Sequence, residues 1–297
     1  MRVRVQKMFI NPPPLNPRPP RAGWSNKVRI LIMGRIEKKF AELRTKKEKA
    51  LIVYLTAGDP SLDVSKKIIF GLEKAGVDIL EIGVPFSDPT ADGPVIQAAS
   101  QRALKAGTTL DGVLKLVADV RRVSQMPILL FGYFNPIFAY GVGKFADAAQ
   151  KAGVDGILVV DLPPEEAGEL RIHTDAAGLD FISLVAPTTG RDRLKTILQN
   201  ATGFLYYISI TGVTGTAVPK IEDIQREVGR IRKLTKMPIA VGFGISSATQ
   251  ARDIAAFSDG VVIGSAVVRL IDENRNKNDL VKVVSDYAKD IKKSLRS

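Results

Sequence analysis

The chain has 297 residues, with 43 Lys and Arg against 31 Asp and Glu, 45% apolar residues, one His and no Cys. Without cysteine there is no disulfide scaffold, no thiolate metal site and no thiol nucleophile, and His173 alone cannot form the histidine cluster that zinc or non-haem iron needs. The longest uncharged stretch, 123–143, is interrupted by Pro127 and Asn135-Pro136, which suits a buried strand and loop rather than a bilayer span, so a soluble, cytoplasmic protein with no membrane partner is expected.

The net charge of +12 points first to nucleic acid, but its distribution argues otherwise. Residues 1–35 carry eight basic side chains and no acid, so the remainder is only mildly basic. This head is proline-rich and lacks an apolar core before a small-residue cleavage site, which excludes a secretory signal. We set residues 1–34 apart as a disordered basic extension. A start placed too far upstream of Met33, a flexible tail and a transit peptide remain open for it, although serine is scarce for the last. Residues 35–297 are taken as one catalytic domain.

In chain order, an amphipathic helix over 36–47 comes first and is placed to close a barrel floor. Eight nearly uncharged apolar runs follow, at 51–55, 77–84, 127–133, 156–161, 180–187, 203–209, 238–244 and 260–267, separated by charged helical stretches. Continuous apolar runs are what strands covered on both faces look like, and eight of them alternating with helices predict a single (β/α)8 TIM barrel with an extra N-terminal helix. KAGVD at 74–78 and 151–155, and AAGLD at 176–180, each put Gly just past a helix and an apolar run after it. A doubly wound open sheet is the alternative, but its glycine-rich first turn is missing: the chain there reads TAGDPS.

Chemistry in such barrels sits at the carboxyl ends of the strands. Apart from the strand-opening Asp78 and Asp180, the runs contain only two acids, Glu81 and Asp161, and no Lys, Arg or His. If Leu80 and Ile82 pack on helices, Glu81 points into the barrel mouth, where lost hydration would raise its pKa toward values useful for proton transfer. The loop 83–97 adds Asp92, which fits either an N-cap before the helix containing Pro94 or a second carboxylate facing Glu81. Asp161 reads as a loop or cap residue. Glycine clusters at 211–215, 242–246 and 264–268 follow the last three strands, and together with Ser265 they suit a phosphate. Schiff-base and metal-assisted cleavage lack their lysine and histidines, which leaves acid-base work on a phosphorylated substrate that can itself accept electrons.

LEIGVPFSDPTADGPVIQ, preceded by YLTAGDP and followed by YYISITGVTG and VGFGIS, closely resembles the tryptophan synthase alpha chain family, from about Met33 to the C-terminus. The resemblance implies a lyase that cleaves indole-3-glycerol phosphate to indole and glyceraldehyde 3-phosphate. It makes Glu81 the general acid-base and Asp92 the group that holds the indole N–H. Tyr206 matches the family's tyrosine on the sixth strand. Gly215, Gly244, Gly264 and Ser265 match its phosphate cradle, and Thr214 matches the mobile-loop residue that reaches the catalytic Asp on closure. Phe243, Tyr133 and Leu158 fall where the indole pocket is lined. No cofactor or metal is implied for this chain; pyridoxal phosphate would belong to the beta chain, the expected partner in an alpha2-beta2 complex. Some members carry Arg directly after the Ser of the sixth strand, where this sequence has Ile210, and the basic head has no counterpart.

Two other classes share some of these features. Indole-glycerol-phosphate synthase or phosphoribosylanthranilate isomerase would share the barrel and its glycines but would show a catalytic Lys or Cys at a strand end. A nucleic-acid binder would rest on the charge of residues 1–32 alone.

Overall fold

The structure, a computed structural model, describes residues 33–208, 220–242 and 244–296. The expectations for the basic extension, the loop residues Thr214 and Gly215, and Phe243 lie outside these residues.

All strand pairings are parallel, and among the described residues nine strands follow the order β5-β4-β3-β2-β1-β9-β8-β7-β6. The chain runs α1 (Arg35–Lys46), β1 (Ala50–Thr56), α2 (Leu62–Ala75), β2 (Ile79–Gly83), α3 (Pro94–Lys105), α4 (Leu110–Arg121), β3 (Ile128–Gly132), α5 (Phe134–Tyr140), α6 (Val142–Ala152) and β4 (Gly156–Val159). It continues through α7 (Gly168–Ala176), β5 (Asp180–Phe181), β6 (Ser183–Val185), α8 (Arg191–Asn200), β7 (Leu205–Ile208), α9 (Ile221–Arg232), β8 (Ile239–Gly242), α10 (Ala248–Ala255), β9 (Gly260–Ile263), α11 (Ser265–Asn274) and α12 (Leu280–Ser294).

The expected barrel is present, with one refinement. The fifth apolar run is split at Ile182: β5 pairs only with β4 and β6 only with β7. One strand thus spans the seam by changing partner halfway, and the Ile182 N–H still reaches Ile157 O at 2.9 Å.

Alternation within each strand builds two cores. Leu51, Val53, Leu80, Ile82, Leu130 and Val241 face outward into the layer beneath the helices. Ile52, Ile79, Leu129, Leu158, Phe204, Ala240 and Val262 face inward. That inner core continues into Ile36, Phe40 and Leu43 of α1, with the Phe40 and Phe204 rings 5.6 Å apart, so the first helix does plug the floor. The glycines of the repeated KAGVD end α2 and α6 in the left-handed conformation, Gly76 at φ 95° and Gly153 at φ 86°, as expected.

The floor is tied by a recurring device. Asp78, just before β2, accepts the Leu51 N–H; Asp155, before β4, accepts that of Ile128; Asp259, before β9, accepts that of Ile239, each at 2.8 Å. A cation meets each carboxylate: Lys292 at Asp78 (2.7 Å), Arg121 and Arg35 at Asp155 (2.8 and 3.0 Å), and Arg232 at Asp259. Among the described residues, α3, α5 and α11 are additional to the one helix that follows each strand in the plain barrel plan. Each begins at the carboxyl end of the sheet.

Candidate active site

Glu81 lies on the inward parity of β2, with Leu80 and Ile82 turned to the helices as their burial requires. It is 1% exposed, and among the described residues neither of its carboxylate oxygens has a hydrogen-bond partner. Burial alone pushes its pKa up to about 8. An unpaired buried carboxyl is costly to retain and is a mark of function rather than of packing.

Tyr54 stands beside Glu81 in the β1–β2 ladder. Its ring meets Phe131 edge-on at 5.2 Å, and its hydroxyl lies 3.3 Å from Thr56 Oγ1. That hydroxyl occupies the space a Cβ would take at Gly83, so glycine is required there for the tyrosine to approach. Across the barrel, Tyr206 of β7 is buried with its ring stacked on Phe204 at 6.5 Å. Burial holds both phenols well above their ordinary pKa, and the nearby Glu81 adds to it.

Asp92 is not a helix cap. The N-cap of α3 is Gly93, with Pro94 in the first turn, and Asp92 contributes only its carbonyl, which accepts Gln97 Nε2 at 2.8 Å. The Tyr133 hydroxyl, which accepts the Ala91 N–H at 3.0 Å, is close enough to the Asp92 carboxyl to lower its pKa. Burial raises Asp92 to about 6, opposed by the Tyr133 phenol. Tyr133 is itself buried and carries Phe86 of the same loop at 5.3 Å. Leu158 is level with Phe131, and Phe131 with Gly83, which places it one layer above Glu81. Asp161 does act as a cap, at a distance in sequence: it accepts the Phe134 N–H that opens α5 at 2.8 Å.

At the opposite side of the mouth, Gly264 caps α11 with no side-chain bond, whereas Ser61, Thr109 and Ser247 cap α2, α4 and α10. The first turn from Ser265 therefore presents bare N–H groups. Gly244 has φ +57°, and no described atom lies within 4 Å of where a Cβ would be. Among the described residues no group of three His, Cys, Asp or Glu could hold a metal, and no helix is long and apolar enough to cross a membrane.

Sequence reasoning brought Glu81, Asp92, Tyr133, Leu158, Tyr206, Gly244, Gly264 and Ser265 to the carboxyl face, where the structure has them. It missed Tyr54, although one signal was available: Tyr54 shares the inward parity of Ile52 and Thr56 in an otherwise apolar run.

The profile of the tryptophan synthase alpha chain family matches residues 40–296. The chain belongs to that family. The alpha chain of Geotalea daltonii is 51% identical over 245 residues, which is 82% of this chain and 93% of that one. That of Desulfatibacillum aliphaticivorans is 48% identical over 267 residues, 89% of this chain and all of the relative. The crystal structure of the alpha subunit from Legionella pneumophila str. Paris superposes with a TM-score of 0.84 at 38% identity, covering 89% of this chain and 98% of that chain. The family cleaves indole-3-glycerol phosphate in tryptophan biosynthesis, and this chain is an enzyme of that kind, a lyase on a TIM barrel.

Proposed function

We propose that Glu81 and Asp92 carry the carbon-carbon cleavage at this mouth. The supporting observation is that two inward carboxyls have environments that push their proton affinities apart: Glu81, near 8, keeps its proton at neutral pH, while Asp92, near 6, is ionised. Glu81 delivers its proton to C3 of the indole ring, and the ring nitrogen takes up positive charge. Asp92 holds the indole N–H and stabilises that charge. The bond from C3 to the glycerol carbon then breaks, its electrons return to the ring, and the carbinol proton leaves to Glu81 as the aldehyde forms. The ring is the electron sink, so the step needs no lysine, metal or cofactor of this chain.

The bare first turn of α11 at Ser265, with Gly264, Gly244 and Gly215, takes the phosphate; Thr214 closes on Asp92; Tyr206 faces Glu81; and Phe243, Tyr133 and Leu158 line the indole pocket. The partner is the beta chain, which carries pyridoxal phosphate in an alpha2-beta2 assembly in the cytoplasm. Supporting this, Phe138 is 59% exposed beside Phe134, 5.9 Å away, in α5, the helix that follows β3, where a docked partner would cover it. Indole release followed across a titration with beta chain tests this reading. A complex with kcat/KM raised by about 5 to 150-fold is expected, and no complex at micromolar concentration would refute the partner.

A further inference from the structure

Two of the added helices meet over β1. The helix α3 leaves directly from the Asp92 loop, and α11 starts at the bare turn assigned to phosphate. Both pack against β1 and against each other. Their contact has an apolar layer and an ionic one. In the apolar layer Tyr54, Ala99 and Val268 form a closed cluster with Val95 and Ile96 against it. In the ionic layer a single guanidinium joins all three elements. Arg102 of α3 donates from Nε and Nη2 to the two oxygens of Asp59, at 2.8 and 2.7 Å, and its Nη1 lies 3.3 Å from Asp272 of α11. Asp59, in the turn after β1, is 1% exposed, and Asp272 is also held by Arg275, the C-cap of α11.

A two-pronged carboxylate-guanidinium pair fixes orientation as well as distance, because both planes must align, and its burial at Asp59 makes slippage costly. The helix α3 is thereby fixed to the strand end that carries Tyr54, and α11 is linked to the same guanidinium. A continuous set of contacts thus runs from the head of α11 through Asp272 and Arg102 into α3, whose first residue, Pro94, follows Asp92 by two positions.

We propose that Arg102 is a positioning residue that couples occupancy of the phosphate cradle to the placement of Asp92, so that the substrate's phosphate speeds bond cleavage and does not merely tighten binding. This rests on the phosphate lying at α11, as proposed above. It is a way of using binding energy from a non-reacting part of the substrate to orient the reacting part.

The test compares kcat of the full chain on indole-3-glycerol phosphate with kcat on the dephosphorylated indole-3-glycerol, in wild type and in Arg102→Met, Asp272→Asn and Ser265→Asp. Coupling predicts that Arg102→Met lowers kcat on the phosphorylated substrate at least about 5-fold while leaving the dephosphorylated one within about 2-fold, with Asp272→Asn smaller in the same sense. A purely structural role would lower both substrates together, and that result, or no change on either, overturns the proposal. If Arg102→Met does not fold, Asp272→Asn, which keeps the Asp59 pair, decides by the same criterion. If Ser265→Asp leaves the preference for the phosphorylated substrate intact, the phosphate lies elsewhere and the coupling falls with it. If Ser265→Asp abolishes that preference while the other two variants keep it, only the coupling falls.

Discussion

The two ends of this barrel use the same functional group in opposite ways. At the floor, Asp78, Asp155 and Asp259 each accept a strand N–H and each meet a Lys or Arg. At the mouth, Glu81 and Asp92 meet no cation among the described residues; what they have is burial, and for Asp92 a nearby phenol. Burial raises Asp78 as well, but there Lys292 opposes it. A paired carboxylate fixes a geometry, whereas an unpaired one holds a proton it can give away. Stability is thus concentrated at one end and reactivity at the other, the division expected where catalytic loops ride on a rigid sheet.

The sharpest way to break this comparison is Glu81→Gln, which keeps the shape and removes the transferable proton. Indole release should fall at least about 10²-fold. Stability should move the other way. The folded value near 8 lies above the ordinary 4.5, so the folded state retains a proton that the unfolded chain has lost, and wild-type stability declines as pH rises through that window. The variant has no such loss, so its Tm should exceed that of wild type at pH 9 and match it near pH 4. A folded variant with wild-type activity would remove Glu81 from the mechanism.

The floor counterpart is Asp155→Ala. It strands Arg121, Arg35 and the Ile128 N–H, and chemical denaturation should show a loss of about 3 kcal/mol. The kcat of the folded fraction should not change; a fall in kcat equal to that of Glu81→Gln would show that the two ends are not separable.

Next in size, Gly244→Asp puts a carboxylate and a side chain at a residue with φ +57°, beside the assigned phosphate. KM for indole-3-glycerol phosphate should rise about 10-fold or more with kcat less affected, and steady-state kinetics with an unchanged KM would place the phosphate elsewhere.

The smallest effect concerns the pH profile. The proposed mechanism requires Asp92 ionised and Glu81 protonated, so kcat/KM should rise through about pH 6 and fall through about pH 8. Tyr133→Phe removes the phenol that opposes the burial effect on Asp92, and should shift the acidic limb upward, leaving the basic limb in place.

Much of the barrel was legible because parallel strands buried on both faces need uninterrupted apolar runs, and residue parity then aimed Glu81 inward. The break at Ile182 was not legible, since a run of eight apolar-rich residues looks the same whether one neighbour or two share it. The role of Asp92 was ambiguous for a different reason: a cap and a catalytic carboxylate both favour the position before Gly93-Pro94, and only the backbone decides which. Arg102 gave no sign at all. A basic residue in a helix looks solvated until the partners, Asp59 and Asp272, are brought from 43 residues earlier and from the other end of the chain.

The plugged floor sets the traffic of protons. With Ile36, Phe40 and Leu43 packed beneath the inner core, the described residues close the floor below Glu81, and on the proposed mechanism the indole ring would lie between that carboxyl and the mouth. On the proposed mechanism the carboxyl would then be cut off from the bulk proton pool during turnover, so the hydrogen it delivers to the ring and the one it recovers from the carbinol would be handled in private.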